Sequence, residues 1–132
     1  MPSGRALIID DNPINLELLQ LLVEAEGFDV TAVTGAEEAL SVLDKFVPDL
    51  FIVDVQLPGM SGLDLLRLLR SRPDTTRACA IIVTSYAMDA DRENAFAAGC
   101  DGYITKPIDT RTFGAEIVAI YTDTIAQNSQ RH

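Results

Sequence analysis

Basic residues are scarce in this chain of 132 amino acids, which has 10 lysines and arginines against 20 aspartates and glutamates. A surface rich in lysine and arginine is the usual basis for binding nucleic acid or anionic lipid. The net charge of −10 therefore argues against both, and we predict no nucleic-acid partner and no membrane partner. Apolar residues still make up 48% of the sequence, a fraction typical of a folded domain rather than a disordered chain.

Cysteine is also rare, and long apolar runs are absent. The two cysteines, Cys79 and Cys100, lack the CxxC spacing typical of a zinc site. Their small or apolar neighbours favour buried free thiols over a disulfide. No run is long enough to span a bilayer, and residues 1–11 lack the apolar core of a signal peptide. These absences predict a cytoplasmic protein.

Five apolar runs of strand length alternate with five segments of helical periodicity. The predicted strands are 6–9, 28–33, 49–53, 80–84 and 101–105, and the predicted helices are 13–26, 36–46, 62–71, 89–98 and 109–121. This alternation predicts an α/β domain, with a parallel sheet covered by helices on both faces. We place one domain at 1–122 and a polar tail at 123–132.

Polar residues follow several of the predicted strands, where ligand sites form in open α/β sheets. Asp10 and Asp11 follow the first strand, Asp54 the third, Thr84 ends the fourth and Lys106 follows the fifth. Carboxylate oxygens suit Mg²⁺, and a divalent ion would relieve the repulsion between adjacent acids. The sequence therefore predicts a magnesium site at this edge, with Lys106 close enough to pair with Asp54 or with an anion attached to it.

Two simpler roles stay open for these residues. Acidic or amide side chains just before Pro13 could do no more than cap the helix that begins there. We assign capping to Asn12 and metal binding to Asp11. Asp10 could have either role. Lys106 could form an ordinary, partly buried ion pair.

The set of residues resembles the receiver domain of two-component response regulators. The resemblance rests on Asp10-Asp11, Asp54, Thr84 and Lys106-Pro107, with the stretches DDNPINLELL and DVQLPGMSGLDLL, and it runs from about Arg5 to Tyr121. It implies a doubly wound, flavodoxin-like sheet of order 2-1-3-4-5 with five helices. It also implies a phosphoacceptor switch that assists its own phosphorylation and dephosphorylation, rather than an enzyme.

The resemblance implies a role for each acidic residue. Asp54 would accept a phosphoryl group from the phosphohistidine of a histidine kinase or of a histidine phosphotransfer protein. Asp11, Asp54 and the backbone carbonyl of Gln56 would bind Mg²⁺ directly, and Asp10 would act mainly through a bound water. A carboxylate can form such an acyl phosphate, and phosphoryl transfer mainly requires positioning and neutralised charge.

The remaining implied roles concern the switch. Lys106 and Thr84 would each hold a phosphoryl oxygen. Tyr103 would turn inward as Thr84 moves, and the fourth helix, fifth strand and fifth helix would form the surface that changes for a downstream protein. Periodicity alone would treat Tyr103 as a packed strand residue. Pro107 would follow a cis peptide bond.

Two positions depart from the family pattern, and two glycines fit it. Gln56 and Tyr86 lie two residues after Asp54 and Thr84, beside the water that hydrolyses the phosphoryl group in this family. A bulky Tyr86 would shield the acyl phosphate, so we predict slow self-dephosphorylation. Gly59 and Gly62 would allow close approach of the loop backbone, or could simply serve as turn residues.

The first helix is apolar over a wider arc than one core-facing side needs. We predict that Ile14, Leu18 and Leu21 remain on the surface near Pro107 and Ile108. By resemblance, kinases and phosphotransfer proteins would dock there. The prediction requires that Ile14 and Leu21 be exposed; scattered surface leucines would be the plainer explanation.

Three other functions compete with this interpretation. A flavodoxin-like FMN-binding module would need a phosphate-binding loop of small residues after the first strand, where this chain has Asp-Asp-Asn. A Mg²⁺-dependent aspartyl phosphohydrolase of the haloacid dehalogenase type would carry DxD, and here Asp54 is followed by Val-Gln. A degenerate receiver acting as an adaptor would not need the complete acid set.

Overall fold

Five apolar segments form one parallel sheet in the computed structural model, which describes residues 4–129. The strands are β1 (Arg5–Ile9), β2 (Asp29–Val33), β3 (Leu50–Val53), β4 (Cys79–Thr84) and β5 (Gly102–Thr105). Their order is β2-β1-β3-β4-β5, which confirms the predicted topology. Each strand begins and ends within one residue of its predicted position.

Five helices cover the sheet: α1 (Pro13–Glu24), α2 (Ala36–Val42), α3 (Gly62–Ser71), α4 (Asp89–Ala98) and α5 (Phe113–Ser129). Alternate residues of β1 point to opposite faces, so Leu7 packs in one apolar cluster and Ile8 in the other. The first cluster lies under α2, α3 and α4, and the second under α1 and α5. This two-sided burial explains why β1 and β3 are apolar at consecutive positions.

The ends of α2 and α5 differ from their predicted positions. Helix α2 ends at Val42 rather than at residue 46, because the next residues form tighter i to i−3 hydrogen bonds, such as Lys45 N–H to Val42 O at 2.9 Å. Helix α5 begins at Phe113 rather than at residue 109. The Asp109 carboxylate accepts the Arg111 N–H at 3.0 Å and closes a local turn before the helix.

The segment predicted as a polar tail is helical through Ser129, so the predicted end of the fifth helix at residue 121 is wrong. Thr124 is buried, and its hydroxyl donates to the Ile120 carbonyl at 2.8 Å. The Asn128 amide donates to the Arg77 carbonyl at 2.7 Å, which fastens the end of α5 to the loop before β4. Residues 130–132 of the predicted tail lie outside the described residues.

Both cysteines are free and buried, as predicted. Cys79 belongs to the cluster under α1 and α5, and Cys100 to the cluster on the opposite face of the sheet. Burial raises the pKa of each thiol to about 12.

Within residues 4–129, no helix combines the length and the apolar character that a bilayer-spanning segment requires.

Candidate functional site

Lys106, just after β5, connects the ends of two distant strands. Its Nζ donates to Asp54 Oδ2 at 2.7 Å and to Asp10 Oδ2 at 2.8 Å. Strand β5 lies at the sheet edge, so the lysine side chain reaches past β4 to groups that follow β3 and β1. The structure thus brings together Lys106 and Asp54, as predicted, and adds Asp10 as a second partner that the sequence did not indicate.

The two paired carboxylates are almost completely buried, with 1% of Asp10 and 5% of Asp54 exposed. Each uses its second oxygen to accept a backbone N–H two residues further on. Asp10 Oδ1 accepts from Asn12 at 2.9 Å, and Asp54 Oδ1 accepts from Gln56 at 3.0 Å. These bonds fix both carboxylates in position and meet the hydrogen-bonding needs of buried charges.

Asp11 differs from its neighbours because it is exposed and has no hydrogen bond or salt bridge to another described residue. One ligand oxygen from each of Asp10, Asp11 and Asp54 lies within 4.8 Å of the other two. Three carboxylates and one ammonium give the site a formal charge of −3 + 1 = −2. The donor set and the surplus charge both fit a hard divalent cation such as Mg²⁺.

Asn12 has the capping role predicted for it. Its Oδ1 accepts the N–H groups of Ile14 at 3.0 Å and Asn15 at 3.2 Å, at the first turn of α1. The cap therefore holds the start of α1 beside the acidic residues.

An open cleft of about 270 Å³ lies over the acidic residues. Its lining residues are Asp10, Asp11, Asn12, Asn15, Asp54, Gln56, Ser85 and Lys106. Sequence reasoning missed Asn15 and did not assign Ser85 to the site.

The charge state of Lys106 follows from its partners. Burial alone would lower the pKa of Lys106, but the hydrogen bonds and negative charges of Asp10 and Asp54 outweigh it and raise the pKa above the ordinary lysine value. The ammonium is therefore fully charged at neutral pH and can attract an anion added to Asp54.

Thr84 and Tyr103 are both buried behind the cleft. The Thr84 hydroxyl accepts the Tyr86 N–H at 3.5 Å, a weak contact, and the Tyr103 hydroxyl donates to the Tyr86 carbonyl at 2.6 Å. Only 8% of Tyr103 is exposed, and burial raises the pKa of its phenol. The ring thus already lies inward, and the predicted turn of Tyr103 as Thr84 moves stays a prediction. The Tyr86 carbonyl is a partner that no sequence signal revealed.

The loop after β3 approaches the Asp54 backbone closely at Gly62, as predicted, whereas an added Cβ atom on Gly59 would meet nothing within 4 Å and Gly59 fits the alternative role of a turn residue. A Cβ atom added to Gly62 would lie 2.0 Å from the Asp54 carbonyl oxygen. Gly59 has a φ of +75°, a conformation that L side chains rarely adopt. Gly62 also begins α3, so the same glycine sets the distance between the helix and the candidate site.

The exposed apolar residues predicted on α1 are present. Ile14 is 79% exposed and Leu21 is 60% exposed, whereas Leu18 is half-buried. Nearby, Pro107 is exposed after a cis peptide bond, as predicted. Ile108 is half-buried against the cluster under α1 and α5, so it contributes partly to the core.

Comparison with known proteins agrees with this geometry. The chain matches the response regulator receiver domain over residues 6–118. It is 36% identical over 113 residues to the polar-differentiation response regulator DivK of Brucella anthropi, covering 86% of this chain and 91% of the relative.

Solved structures show the same relationship. A CheY-like response regulator receiver domain protein from Methanospirillum hungatei is 28% identical, with a TM-score of 0.85 over 96% of this chain and 99% of that one. The receiver domain of a sensor histidine kinase from Pseudomonas aeruginosa is 27% identical, with a TM-score of 0.80 over 95% of this chain and 99% of that one. That structure has a magnesium ion coordinated in its active-site cleft. The chain belongs to the response regulator receiver domain family of two-component signalling.

Proposed function

We propose that Asp54 accepts a phosphoryl group from a phosphohistidine in a Mg²⁺-dependent reaction and that the modified domain acts as a signalling switch in the cytoplasm. The donor would be a histidine kinase or a histidine phosphotransfer protein. The observation that carries the proposal is the position of Asp54, whose carboxylate is paired with the Lys106 ammonium and lies close to the carboxylates of Asp10 and Asp11.

The transfer needs one bond to form at phosphorus and one to break. An Asp54 carboxylate oxygen forms the new bond, while the bond from phosphorus to the imidazole nitrogen of the donor breaks and the nitrogen keeps the electron pair. Lys106, freed in part from the neutralised carboxylate, would then hold a phosphoryl oxygen. Thr84 would donate its hydroxyl to another.

The chain has suitable ligands for the metal. Asp11, Asp54 and the backbone carbonyl of Gln56 would hold Mg²⁺, with Asp10 acting mainly through a bound water. A bound Mg²⁺ supplies positive charge that offsets both the carboxylates and the phosphoryl oxygens. The exposed Asp11 adds an uncompensated negative charge to this attraction, since it has no cation of its own among the described residues.

The switch would act through Thr84 and Tyr103. As Thr84 moves toward the phosphoryl group, the loop that carries Tyr86 moves with it, and the hydrogen bond from Tyr103 links that loop to β5. The surface of α4, β5 and α5 would then present a different face to a downstream protein.

Tyr86, which is 41% exposed, would shield the acyl phosphate and give slow self-dephosphorylation.

The donor would dock on the exposed apolar residues of α1. Ile14, Leu18 and Leu21 lie on the helix whose cap borders the cleft, with Pro107 on the loop after β5. A partner seated on these residues would hold its phosphohistidine over Asp54. Mutation of Ile14 or Leu21 should therefore weaken transfer from the protein donor and leave reaction with a small phosphodonor unchanged.

The decisive experiment is incubation with acetyl phosphate and Mg²⁺, followed by intact mass spectrometry. We expect one added phosphoryl group that hydroxylamine removes, as it does from acyl phosphates. The Asp54→Asn variant and chelation of Mg²⁺ should each abolish the gain. Asp101→Asn is the matched control, because Asp101 is also paired with a cation but lies at the other end of the sheet.

Two outcomes would contradict the proposal. One is a wild-type protein that remains unmodified with Mg²⁺ present, which would favour an adaptor. The other is a phosphoryl group that persists in Asp54→Asn. Multiple turnover of a small phosphomonoester would instead indicate a phosphohydrolase.

A further inference from the structure

Arg92, in the second turn of α4, lies against two aromatic rings. Its guanidinium carbon is 5.2 Å from the centre of the Phe96 ring and 5.7 Å from the centre of the Tyr103 ring. Its Nη1 also donates to the Tyr103 backbone carbonyl at 3.4 Å. A guanidinium within about 6 Å of a ring centre is attracted to the ring face. Arg92 therefore contacts both the ring and the backbone of the buried tyrosine.

Tyr103 is held from two directions. On one side its hydroxyl donates to the Tyr86 carbonyl, in the loop between β4 and α4. On the other side Arg92 reaches it from α4 itself. The tyrosine consequently links the loop that follows Thr84 to the helix that begins three residues after Tyr86.

Helix α4 has few other means of holding this tyrosine. Its buried residues are Ala95 and Ala98, whose short side chains can make only limited contact. Phe96 is 41% exposed, and the Arg92 side chain lies close to its ring. Arg92 thus supplies reach that the buried alanines lack, and its aliphatic stem and planar head can pack while part of the side chain stays in water.

We propose that Arg92 is a positioning residue that holds Tyr103 in its buried orientation. By holding Tyr103, it also restrains the loop after Thr84 through the hydrogen bond to Tyr86. The consequence for phosphorylation rests on the function proposed for Asp54, whereas the orientation of Tyr103 does not. Arginine suits this role better than lysine, because a planar guanidinium can lie over a ring and donate to a carbonyl at once.

The first experiment measures how often Tyr103 leaves its buried position. N-acetylimidazole acetylates a tyrosine hydroxyl only when it is accessible, so the rate at Tyr103 is proportional to the open fraction. The rate is read by peptide mass spectrometry on unphosphorylated, Mg²⁺-free protein, with Tyr121 as the reference in the same sample. We expect Arg92→Gln to accelerate acetylation of Tyr103, relative to Tyr121, by about two- to fivefold.

Two variants control for charge and for general loosening. Arg92→Lys keeps the charge but not the planar group, and it should fall between wild type and Arg92→Gln. Glu93→Gln changes the neighbouring exposed charge on α4 and should leave the ratio unchanged. An unchanged ratio in Arg92→Gln, or an acceleration that Tyr121 shares equally, would overturn the proposal.

The second experiment tests the consequence for phosphorylation. With acetyl phosphate and Mg²⁺, Arg92→Gln should gain the phosphoryl group more slowly than wild type and Glu93→Gln, by up to about twofold, because the rate follows the buried fraction of Tyr103 and that fraction falls less than the open fraction rises. Equal rates, with Tyr103 clearly more accessible, would overturn the link from the tyrosine to the site. If wild type itself gains no phosphoryl group, the function proposed for Asp54 fails, and the acetylation result still decides the role of Arg92.

Discussion

The two ends of the sheet each have a cleft of about 270 Å³ and a partly buried cation paired with aspartate. At the amino ends of β4 and β5, Arg70 donates to the Asp101 carboxylate at 2.8 Å. It also donates to the carbonyls of Gly99 at 2.9 Å and Ala78 at 2.6 Å. At the carboxyl ends, Lys106 pairs with two buried aspartates, Asp10 and Asp54. The Asp11 carboxylate lies beside them and has no partner among the described residues.

This difference separates a structural ion pair from a candidate reactive one. The charges of Arg70 and Asp101 balance, and the remaining donors of Arg70 are used by carbonyls that would otherwise lack partners. The charges around Lys106 do not balance, since the site has a surplus of two negative charges. Cleft size does not distinguish the two ends. An uncompensated charge beside carboxylates that backbone hydrogen bonds hold in place is the feature that indicates a place for a cation and an anionic substrate.

The largest expected effect comes from removing the structural cation. Arg70→Ala leaves the Asp101 carboxylate and the Ala78 and Gly99 carbonyls short of donors, so the free energy of unfolding should fall by about 3 kcal/mol. Urea denaturation measures this loss. Arg67→Ala is the matched control on the same helix, because Arg67 pairs only with the exposed Asp64, and it should change stability by at most about 0.5 kcal/mol. Equal losses in the two variants would contradict a structural role for Arg70.

Substitution of Gly62, at the carboxyl end of the sheet, should lower the free energy of unfolding nearly as much. In Gly62→Ala the new methyl group would meet the Asp54 carbonyl at 2.0 Å, so backbone must move. We expect a loss of about 2 kcal/mol and slower phosphorylation by acetyl phosphate, because Asp54 itself is displaced. Gly35→Ala, where an added Cβ meets nothing within 4 Å, should phosphorylate at the wild-type rate. A Gly62→Ala protein with normal phosphorylation would show that the contact is unimportant for the site.

Replacing aspartate by asparagine should lower the folding stability at the amino end of the sheet and raise it at the carboxyl end. Asp101→Asn weakens both the pair with Arg70 and the bond to the Ala80 N–H, so stability should fall by about 1 to 2 kcal/mol. Asp11→Asn removes an unpaired negative charge and should raise stability by up to about 1 kcal/mol in Mg²⁺-free buffer. Added Mg²⁺ should then stabilise wild type more than Asp11→Asn. A loss of stability in metal-free Asp11→Asn would mean that the carboxylate supports the fold.

The smallest expected change in folding stability occurs in mildly alkaline solution and comes from the two cysteine thiols. The folded pKa of Cys79 and of Cys100 is about 12, above the ordinary thiol value of 9.0. As the pH rises, the unfolded chain therefore loses these protons first, and stability should fall by roughly 1 kcal/mol between about pH 7 and 9. The raised pKa of Lys106 leaves its contribution complete below about pH 10.4, so it adds no slope in this range.

A double variant tests the thiol assignment. Cys79→Ala with Cys100→Ala should be less stable at neutral pH but should show a flatter profile between about pH 7 and 9. A slope equal to that of wild type would assign the alkaline loss to other groups.

The strands and most of the site were predictable because local chemistry specifies them. Consecutive apolar residues are required of a strand buried on both faces, and a parallel sheet places the residues after β1, β3 and β5 at one edge. The tight turn after Val42 and the Asp109 turn depend on local hydrogen bonds that hydrophobic periodicity does not register. Asp10 as a partner of Lys106, and Arg92 against Tyr103, depend on distances between elements far apart in the chain, which no local pattern encodes.

Helix α1 divides its apolar residues between two separate tasks. Leu19 and Val23 are buried in the core, whereas Ile14 and Leu21 contribute little to it. Substitutions at the second pair can therefore accumulate without loss of folding. On the docking proposed above, a few changes on this exposed side of the helix would suffice to recognise a new donor, while the proposed chemistry at Asp54 stayed constant.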